Sequence, residues 1–310
     1  MGRLFCGGEP MRVLFVGDVV GRPGRKMLAL HLPRLIDAER PDFVVINGEN
    51  AAHGRGITRK IAADFFALGA DVITLGNHAW DNKEAFDLLA EEPRVLRPLN
   101  YPPGTAGRGV AVVEKGAWRL GVVSVLGRSF MSPLDDPFRT LDAALEELAA
   151  SGVRHVVVDV HAEATAEKEA IGWYVDGRAS AVIGTHTHVQ TADARLLPGG
   201  TAYLTDVGMT GPMDGVLGMR RDEVLARFLT GLPQRFDVLT EGPRELSYAV
   251  VDLRPDGRAA AIRRGRIVET PQAEGTYVPP EAQAASASPA KGSTGSPASG
   301  ASAPEAGAGR

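Results

Sequence analysis

Short apolar runs that end in a glycine or a polar side chain, separated by stretches with helical spacing, recur from residue 11 to about residue 270. RVLFVGD at 12–18 reads as a buried strand, and a helix is expected from about Gly24 to Ala38,. FVVING at 43–48 and DVITLGN at 71–77 read as the next two strands, with a helical segment at 58–68 for which Thr58 is placed as an N-cap,. VAVVEKGAWRLGVVSVLG at 110–127 reads as a hairpin turning at Lys115-Gly116,. A helix near 138–150 leads to the strand HVVVDVH at 155–161, and another near 163–174 leads to AVIGTHTH at 181–188. TAYLTDVG at 201–208 and the pair 246–253 and 258–264 complete the strands. Strand–helix alternation followed by hairpins predicts a mixed α/β domain whose sheets are covered by helices.

Composition changes sharply at both ends of this pattern. Residues 1–10 have no periodicity and are expected to form an extension that adds little to the fold. From residue 271 to 310 the chain is built of Pro, Ala, Ser and Gly, which cannot bury enough apolar surface to offset the entropy of ordering, so a disordered tail is expected,. The folded part is then one domain, 11–270. Ordinary hydrophobic and charged fractions, 44% and 23% of 310 residues, suit a well-buried core,. The net charge of −4 gives no general basic footprint for duplex DNA,. Cys6 is the single cysteine, which excludes an internal disulfide and a cysteine zinc knuckle,. No signal peptide is recognised, and no apolar run approaches the length of about 18 residues needed to span a bilayer. The expected setting is cytoplasmic, without membrane partners.

The chemistry gathers where strands end, the position at which open α/β sheets bind ligands. Gly17-Asp18, Gly48-Glu49-Asn50, Gly76-Asn77-His78, His161 and Gly184-Thr185-His186-Thr187-His188 all fall there, and they include four of the chain's 7 histidines. Carboxylates, amide oxygens and imidazoles together suit Mn, Fe, Co or Zn. His186 and His188 are two residues apart, so in an extended strand both rings would reach one site. Glu49 is a carboxylate able to bridge two cations, a standard device for phosphoester hydrolysis. Singly, each residue has a structural reading: Asp18 as a turn residue, Glu49-Asn50 as a cap, the 77–81 segment as a capped loop, His161 as a satisfied strand-end histidine. Their joint occurrence points to a metal site. Of the other histidines, His31 is expected on the surface of the first helix and His155 in a local hydrogen bond, while His53, close after Asn50, favours a structural reading over a place beside the site.

The phrases GDVVGRPGR, INGEN, TLGNHAWDN, VDVHAEATAEK and GTHTHVQTAD together resemble the calcineurin-like metallophosphoesterases, and within them the YmdB-like bacterial branch of 2′,3′-cyclic-nucleotide phosphodiesterases. The resemblance runs from Met11 to about Glu269. The superfamily pattern departs here in three ways characteristic of that branch. Val19-Val20 follow Asp18 where a histidine is usual, Gly-Glu-Asn replaces Gly-Asp, and Gly-Thr-His-Thr-His carries one extra residue. The resemblance implies a four-layer α-β-β-α sandwich. It implies that Asp18, Glu49, Asn50 and His188 hold one metal, that Glu49 bridges to a second held by Asn77, His161 and His186, and that His78 is the proton donor. Iron is the metal associated with the branch, and manganese is the alternative.

The function expected on this basis is phosphodiester hydrolysis, with 2′,3′-cyclic nucleotides as substrate, by metal-bridging hydroxide attack and protonation of the leaving oxygen by His78. The same centre is compatible with a phosphomonoesterase, such as a 5′-nucleotidase or a phosphoprotein phosphatase. A regulatory, RNA-associated protein with a vestigial site is the non-enzymatic alternative. The Gly- and Met-containing stretch 205–218 reads either as the substrate entrance or as an ordered structural loop. The expected partner is a small phosphoester, and assembly into a homo-oligomer is compatible with the sequence.

Overall fold

The structure, a computed structural model, describes residues 10–270 and 276–278. The chain opens with β1 (Met11–Val16), the short β2 (Asp18–Val19), α1 (Gly21–Glu39), β3 (Phe43–Asn47), α2 (Arg59–Ala67), β4 (Val72–Thr74), α3 (Glu84–Glu91) and β5 (Val95–Leu96). The hairpin β6 (Val110–Lys115) and β7 (Trp118–Leu126) follows, then α4 (Pro137–Ala150), β8 (His155–His161), α5 (Thr165–Tyr174) and β9 (Ala181–Thr185). The last part comprises β10 (Arg195–Leu196), β11 (Ala202–Leu204), β12 (Met209–Pro212), α6 (Arg221–Thr230), β13 (Arg244–Leu253), β14 (Ala259–Glu269) and β15 (Thr276–Val278).

Among the described residues these strands form two sheets. The first runs β15-β14-β13-β1-β3-β4-β5, with β12 joining β13 and β2; the second runs β10-β11-β9-β8-β7-β6. Alternation along each strand divides the apolar side chains between an inner and an outer core, as a period of two requires. In β1, Val13 and Phe15 lie in the core between the sheets together with Val157 of β8 and Ile183 of β9. Leu14 and Val16 turn the other way, to Met27, Leu28, Leu32 and Leu35 of α1. In β8, Val156, Val158 and Val160 pack outward with Leu141, Leu145 and Leu148 of α4 and Ile171 of α5. Helix, sheet, sheet and helix are therefore stacked in four layers, the expected sandwich. No helix among the described residues is long and apolar enough to cross a membrane.

Local signals hold where their chemistry is complete. Thr58 caps α2, its hydroxyl accepting from the Ile61 amide at 3.2 Å,. The hairpin closes through Lys115↔Trp118. Three expectations change. α1 begins at Gly21, earlier than Gly24, where the Gly21 amide donates to the Asn50 carbonyl at 2.9 Å. His31 is buried rather than on the surface, because it falls within the same inward stripe as Met27, Leu28, Leu32 and Leu35. β9 stops at Thr185, so His186 and His188 do not continue the strand. The tail expected from residue 271 contributes Thr276–Val278, which pair antiparallel with β14. The remainder of 271–310, like residues 1–9, lies outside the described residues.

One buried ion pair locks the second sheet to its helix next to these loops. Lys168 of α5 and Asp206, just past β11, are both fully buried, with Nζ 2.8 Å from Oδ2. Asp206 also accepts from the Thr187 amide and hydroxyl and from the Gly208 amide. Removing one member of such a pair strands the other charge, which typically costs about 3–5 kcal/mol. We expect Asp206→Ala to lower the melting temperature by about 6–20 °C, taking about 2–4 °C per kcal/mol for a chain of this size. Thermal unfolding followed by circular dichroism tests this, and a change under about 2 °C, the lower end of that conversion, would show that Lys168 finds another partner.

Candidate metal centre

The parallel strands β1, β3 and β4 of the first sheet and β8 and β9 of the second point their carboxyl ends to one place. Asp18 follows Gly17 after β1, Glu49 and Asn50 follow β3, Asn77 follows β4, His161 ends β8, and His186 and His188 lie just beyond β9. Every ligand expected from the sequence is brought into this cluster. Asp18, Glu49, Asn50, His161 and His188 are buried, and His186 is partly so.

The polar atoms fall into two groups. In the first, Nε2 of His161 stands 3.0 Å from Glu49 Oε1, 3.0 Å from Asn77 Oδ1 and 3.0 Å from His186 Nδ1. One ring nitrogen bears at most one proton and cannot satisfy three neighbours at once, whereas a cation among them can. Glu49, His161 and His186 together satisfy the spacing of a metal-holding group. In the second, Nε2 of His188 lies 3.4 Å from Asp18 Oδ2 and 3.3 Å from Asn50 Oδ1. One buried oxygen in the cluster, Asp18 Oδ1, has no hydrogen-bond partner. Unpaired carboxylate oxygens at this depth are costly unless a cation meets them, so the residues present fit a metal.

Each imidazole is oriented from behind, as metal-binding histidines usually are. His161 Nδ1 lies 2.8 Å from the Thr185 hydroxyl, which itself donates to Asp159 Oδ1 at 2.6 Å. Thr185 thus accepts from the Nδ1 proton and leaves Nε2 free to ligate. His188 Nδ1 donates to the Leu217 carbonyl at 3.0 Å, which also frees Nε2. His186 is set the other way round: Nε2 is 3.1 Å from Glu163 Oε2, and Nδ1 faces His161. Both His186 and His188 have left-handed backbone, φ 93° and 63°, uncommon for residues other than glycine,. The extended geometry expected to send both rings to one site is therefore absent, and the turn directs His186 to the Glu49–His161 group and His188 to Asp18 and Asn50. Asp159, Thr185, Glu163 and the Leu217 carbonyl were not anticipated. Only Asp159 carried a signal, because it shares a strand face with His161 two residues on.

His78 stands beside the two groups. Its amide donates to Glu49 Oε2 at 3.2 Å, and its Nδ1 lies 2.9 Å from Asp81 Oδ2. With Glu49, Asn50, Glu163 and His186 it lines a cleft of about 480 Å³, whose apolar lining includes Leu217, Met219, Phe228 and Phe236. His53 also lines this cleft and meets none of the ligand atoms, whereas His155 Nε2 is engaged elsewhere, with the Arg254 carbonyl.

Charge in the cluster is compensated internally only in part. Burial opposes ionisation of His161, but the carboxylates of Glu49, Asp18 and Asp159 outweigh it and hold the imidazolium to about pH 9. Burial pushes Asp18 well above the usual carboxylate range. Burial and the neighbouring His161 charge depress His186 to about 3, and burial also lowers His188. At neutral pH the metal-free cluster therefore keeps a proton on His161, while His186 and His188 are neutral and ready to ligate. A cation must expel that proton, since only neutral imidazole binds metal. Metal uptake at neutral pH should release at least one proton per molecule, and apparent affinity should rise about tenfold per pH unit until about pH 9. Calorimetric titration in buffers of different ionisation enthalpy measures this, and no proton release at neutral pH would contradict imidazole ligation by His161.

Gly76 packs against this arrangement so closely that an added Cβ would collide with His161 Cδ2 and Glu49 Oε2. We expect Gly76→Ala to weaken metal binding at least tenfold in the folded protein. Equal metal affinities for the variant and the parent would show that the ligands can move aside.

Comparison with known proteins places the whole folded part of the chain in one family. The family model for YmdB-like proteins matches residues 14–264. A 2′,3′-cyclic-nucleotide 2′-phosphodiesterase of Bacillus subtilis (strain 168) is 53% identical over 258 residues, 83% of this chain and 97% of that protein. A hypothetical protein of Thermus thermophilus, solved by crystallography, superposes with a TM-score of 0.79 at 50% identity, covering 84% of this chain and 100% of its own. The crystal structure of a novel phosphatase from Mycoplasma pneumoniae superposes with a TM-score of 0.80 at 31% identity, covering 85% and 95%. The chain therefore belongs to the YmdB-like family and has the four-layer fold of the calcineurin-like metallophosphoesterases.

Proposed function

We propose that this protein is a cytoplasmic, metal-dependent phosphodiesterase acting on 2′,3′-cyclic nucleotides. The observation that carries the reading is the pair of adjacent ligand groups, linked where the His186 amide donates to Asp18 Oδ2 at 2.8 Å, beside a cleft that His78 and Glu49 line. A 2′,3′-cyclic-nucleotide 2′-phosphodiesterase 53% identical to this chain supports the substrate. Asp18, Asn50 and His188 would hold one cation and Asn77, His161 and His186 the other, with Glu49 between them. Mixed carboxylate, amide and imidazole donors suit iron, with manganese as the alternative. When bound, such cations supply Lewis acidity toward the phosphoryl oxygens and acidify water at neutral pH.

The remaining steps belong to side chains of this protein. The apolar wall formed by Leu217, Met219, Phe228 and Phe236 offers a surface for the nucleoside,. Water adds to phosphorus and the P–O2′ bond breaks, giving a 3′-monoester. An alkoxide leaves poorly, so a proton must reach O2′ as the bond breaks. We assign that role to His78 as the imidazolium, with Nδ1–H donating to Asp81 and Nε2–H available to the leaving oxygen,. Its amide contact with Glu49 belongs to the backbone and survives replacement of the ring.

His78→Ala should accordingly retain the metal content of the parent and lose about 10²–10⁴-fold in kcat on 2′,3′-cyclic nucleotides, the usual share of general acid catalysis. The loss should be much smaller on bis-p-nitrophenyl phosphate, whose nitrophenolate departs without a proton. Asn77→Ala should instead lose metal and slow both substrates alike. Metal analysis with both rates decides the matter: if His78→Ala sheds a metal, or suffers equally on the two diesters, His78 is not the proton donor.

A further inference from the structure

A second cavity, of about 920 Å³, adjoins the metal cleft and shares His53, Arg55 and Phe236 with it. Four arginines line it: Arg22, Arg25, Arg55 and Arg235. The one acid in its wall is Asp237, 3.4 Å from Arg235 in a pair that is largely exposed and therefore weak,. Arg22 and Arg55 have no acidic partner among the described residues, and the first turn of α1, where Arg22 sits, holds no acidic side chain. Arg25 is anchored by donating to the Ala51 carbonyl, and the Gly21 amide bonds to the Asn50 carbonyl. The positive cavity is thereby tied directly to the segment that bears Glu49 and Asn50. Isolated surface arginines are usually just solvated. Four converging on one cavity, in a chain whose net charge is −4, form a local anion trap beside a phosphoester site,.

A cyclic mononucleotide does not account for it. Its single phosphate is the reacting group and belongs at the metal centre, which leaves the arginines without an anion. The nucleotide's 5′-oxygen is the point at which an RNA strand continues, bringing further phosphates and bases. We infer that the substrate is a single RNA strand ending in a 2′,3′-cyclic phosphate, with its terminal nucleotide in the metal cleft and the preceding phosphates in the arginine-lined cavity. Phe236, on the wall common to both, offers a ring on which a base can stack,. The inference rests on the phosphodiesterase reading for the chemistry and on the arginine cavity for the substrate class.

Arg22 and Arg235 line only the second cavity and are exposed, so Arg22→Gln/Arg235→Gln should fold normally, with an unchanged melting temperature. The metal-loaded parent and this variant are titrated with a 5′-fluorescein pentaribonucleotide ending in a 3′-monophosphate, between about 50 and 300 mM KCl. Single strands lose affinity with a log–log salt slope of about 0.7 per phosphate neutralised. A parental slope of about 1.4–2 is expected, falling by about 1.4 in the variant, with affinity at least tenfold weaker at about 50 mM KCl. In turnover, an oligoribonucleotide with a 2′,3′-cyclic end should exceed the cyclic mononucleotide at least tenfold in kcat/KM. That advantage should vanish in the variant while the mononucleotide rate stays within twofold. Binding no tighter than that of a nucleoside 3′-monophosphate, or a slope unchanged by the substitutions, overturns the inference. Equal affinity for a duplex DNA of the same charge also overturns it and leaves a general polyanion surface. The two readings fail separately: without any turnover of cyclic ends the phosphodiesterase reading falls, while the binding arm still decides the RNA-strand cavity.

Discussion

Asp18, Glu49, Asp159 and Asp206 bury four carboxylates near the ends of neighbouring strands, and each needs a partner that water cannot supply,. Lys168 answers Asp206 alone. Asp159 is met by the side chains of Thr74, Asn47 and Thr185, and burial still pushes its carboxyl upward. Glu49 draws a proton onto His161, and Asp18 is left with an orphaned oxygen. Burial, with the charges of Glu49, Asp206 and Asp159 added to it, pushes the Asp18 carboxyl up, so the cluster resists having every carboxylate ionised without an added positive charge,. Protons can serve, at the cost of occupying the nitrogens that point inward. Cations relieve the carboxylates and leave the rings as ligands, and this is why the same residues that make the core expensive make it chemically useful.

The two sheets divide the work. Asp18, Glu49, Asn50 and Asn77 come from the first, all oxygen donors, and His161, His186 and His188 come from the second, all nitrogen donors. Neither half of the centre exists until the sheets are packed face to face. Their registry is set by the inner core, in which Val13, Phe15 and Val45 meet Val157, Ile183 and Leu204. An apolar interface without directional bonds thus fixes the distances between donors, and a bound cation in turn holds the sheets together, since anything that binds only the folded state stabilises it.

What was legible in the sequence follows from how local each signal is. The central strands β1, β3, β4, β8 and β9 could be read because they are buried on both faces and so appear as continuous apolar runs, whereas β5, β10 and β12 are too short to show a pattern,. The ligands could be read because each follows such a run, and in four cases a glycine as well. α6 escaped notice: its stripe is broken by exposed Leu225, Phe228 and Leu229, and only Val224 of the helix is buried. His31 was misplaced because a polar residue type was weighed above its position in the inward stripe of α1. Asp81, Glu163 and the Lys168–Asp206 pair act across loops or across the fold, and spacing along the chain does not report such contacts. The arginines at 22, 25, 55 and 235 were invisible for the same reason, coming from three separate segments.

The loop 186–188 shows how a small backbone change decides the outcome. Had β9 continued through His188, alternation would have put both rings on one face and loaded a single site with nitrogen. Left-handed backbone at His186 and His188 instead turns the rings apart, and each offers a different atom, Nδ1 from His186 and Nε2 from His188. Residues held in such conformations cost on the order of 1–3 kcal/mol each and persist only where their surroundings enforce them. Asp206 supplies that enforcement by accepting from the amide and hydroxyl of Thr187, between the two histidines, while Lys168 holds Asp206 in place. The buried ion pair, bonded to the residue between the two histidines, is thus what separates one histidine pair into two halves of a centre.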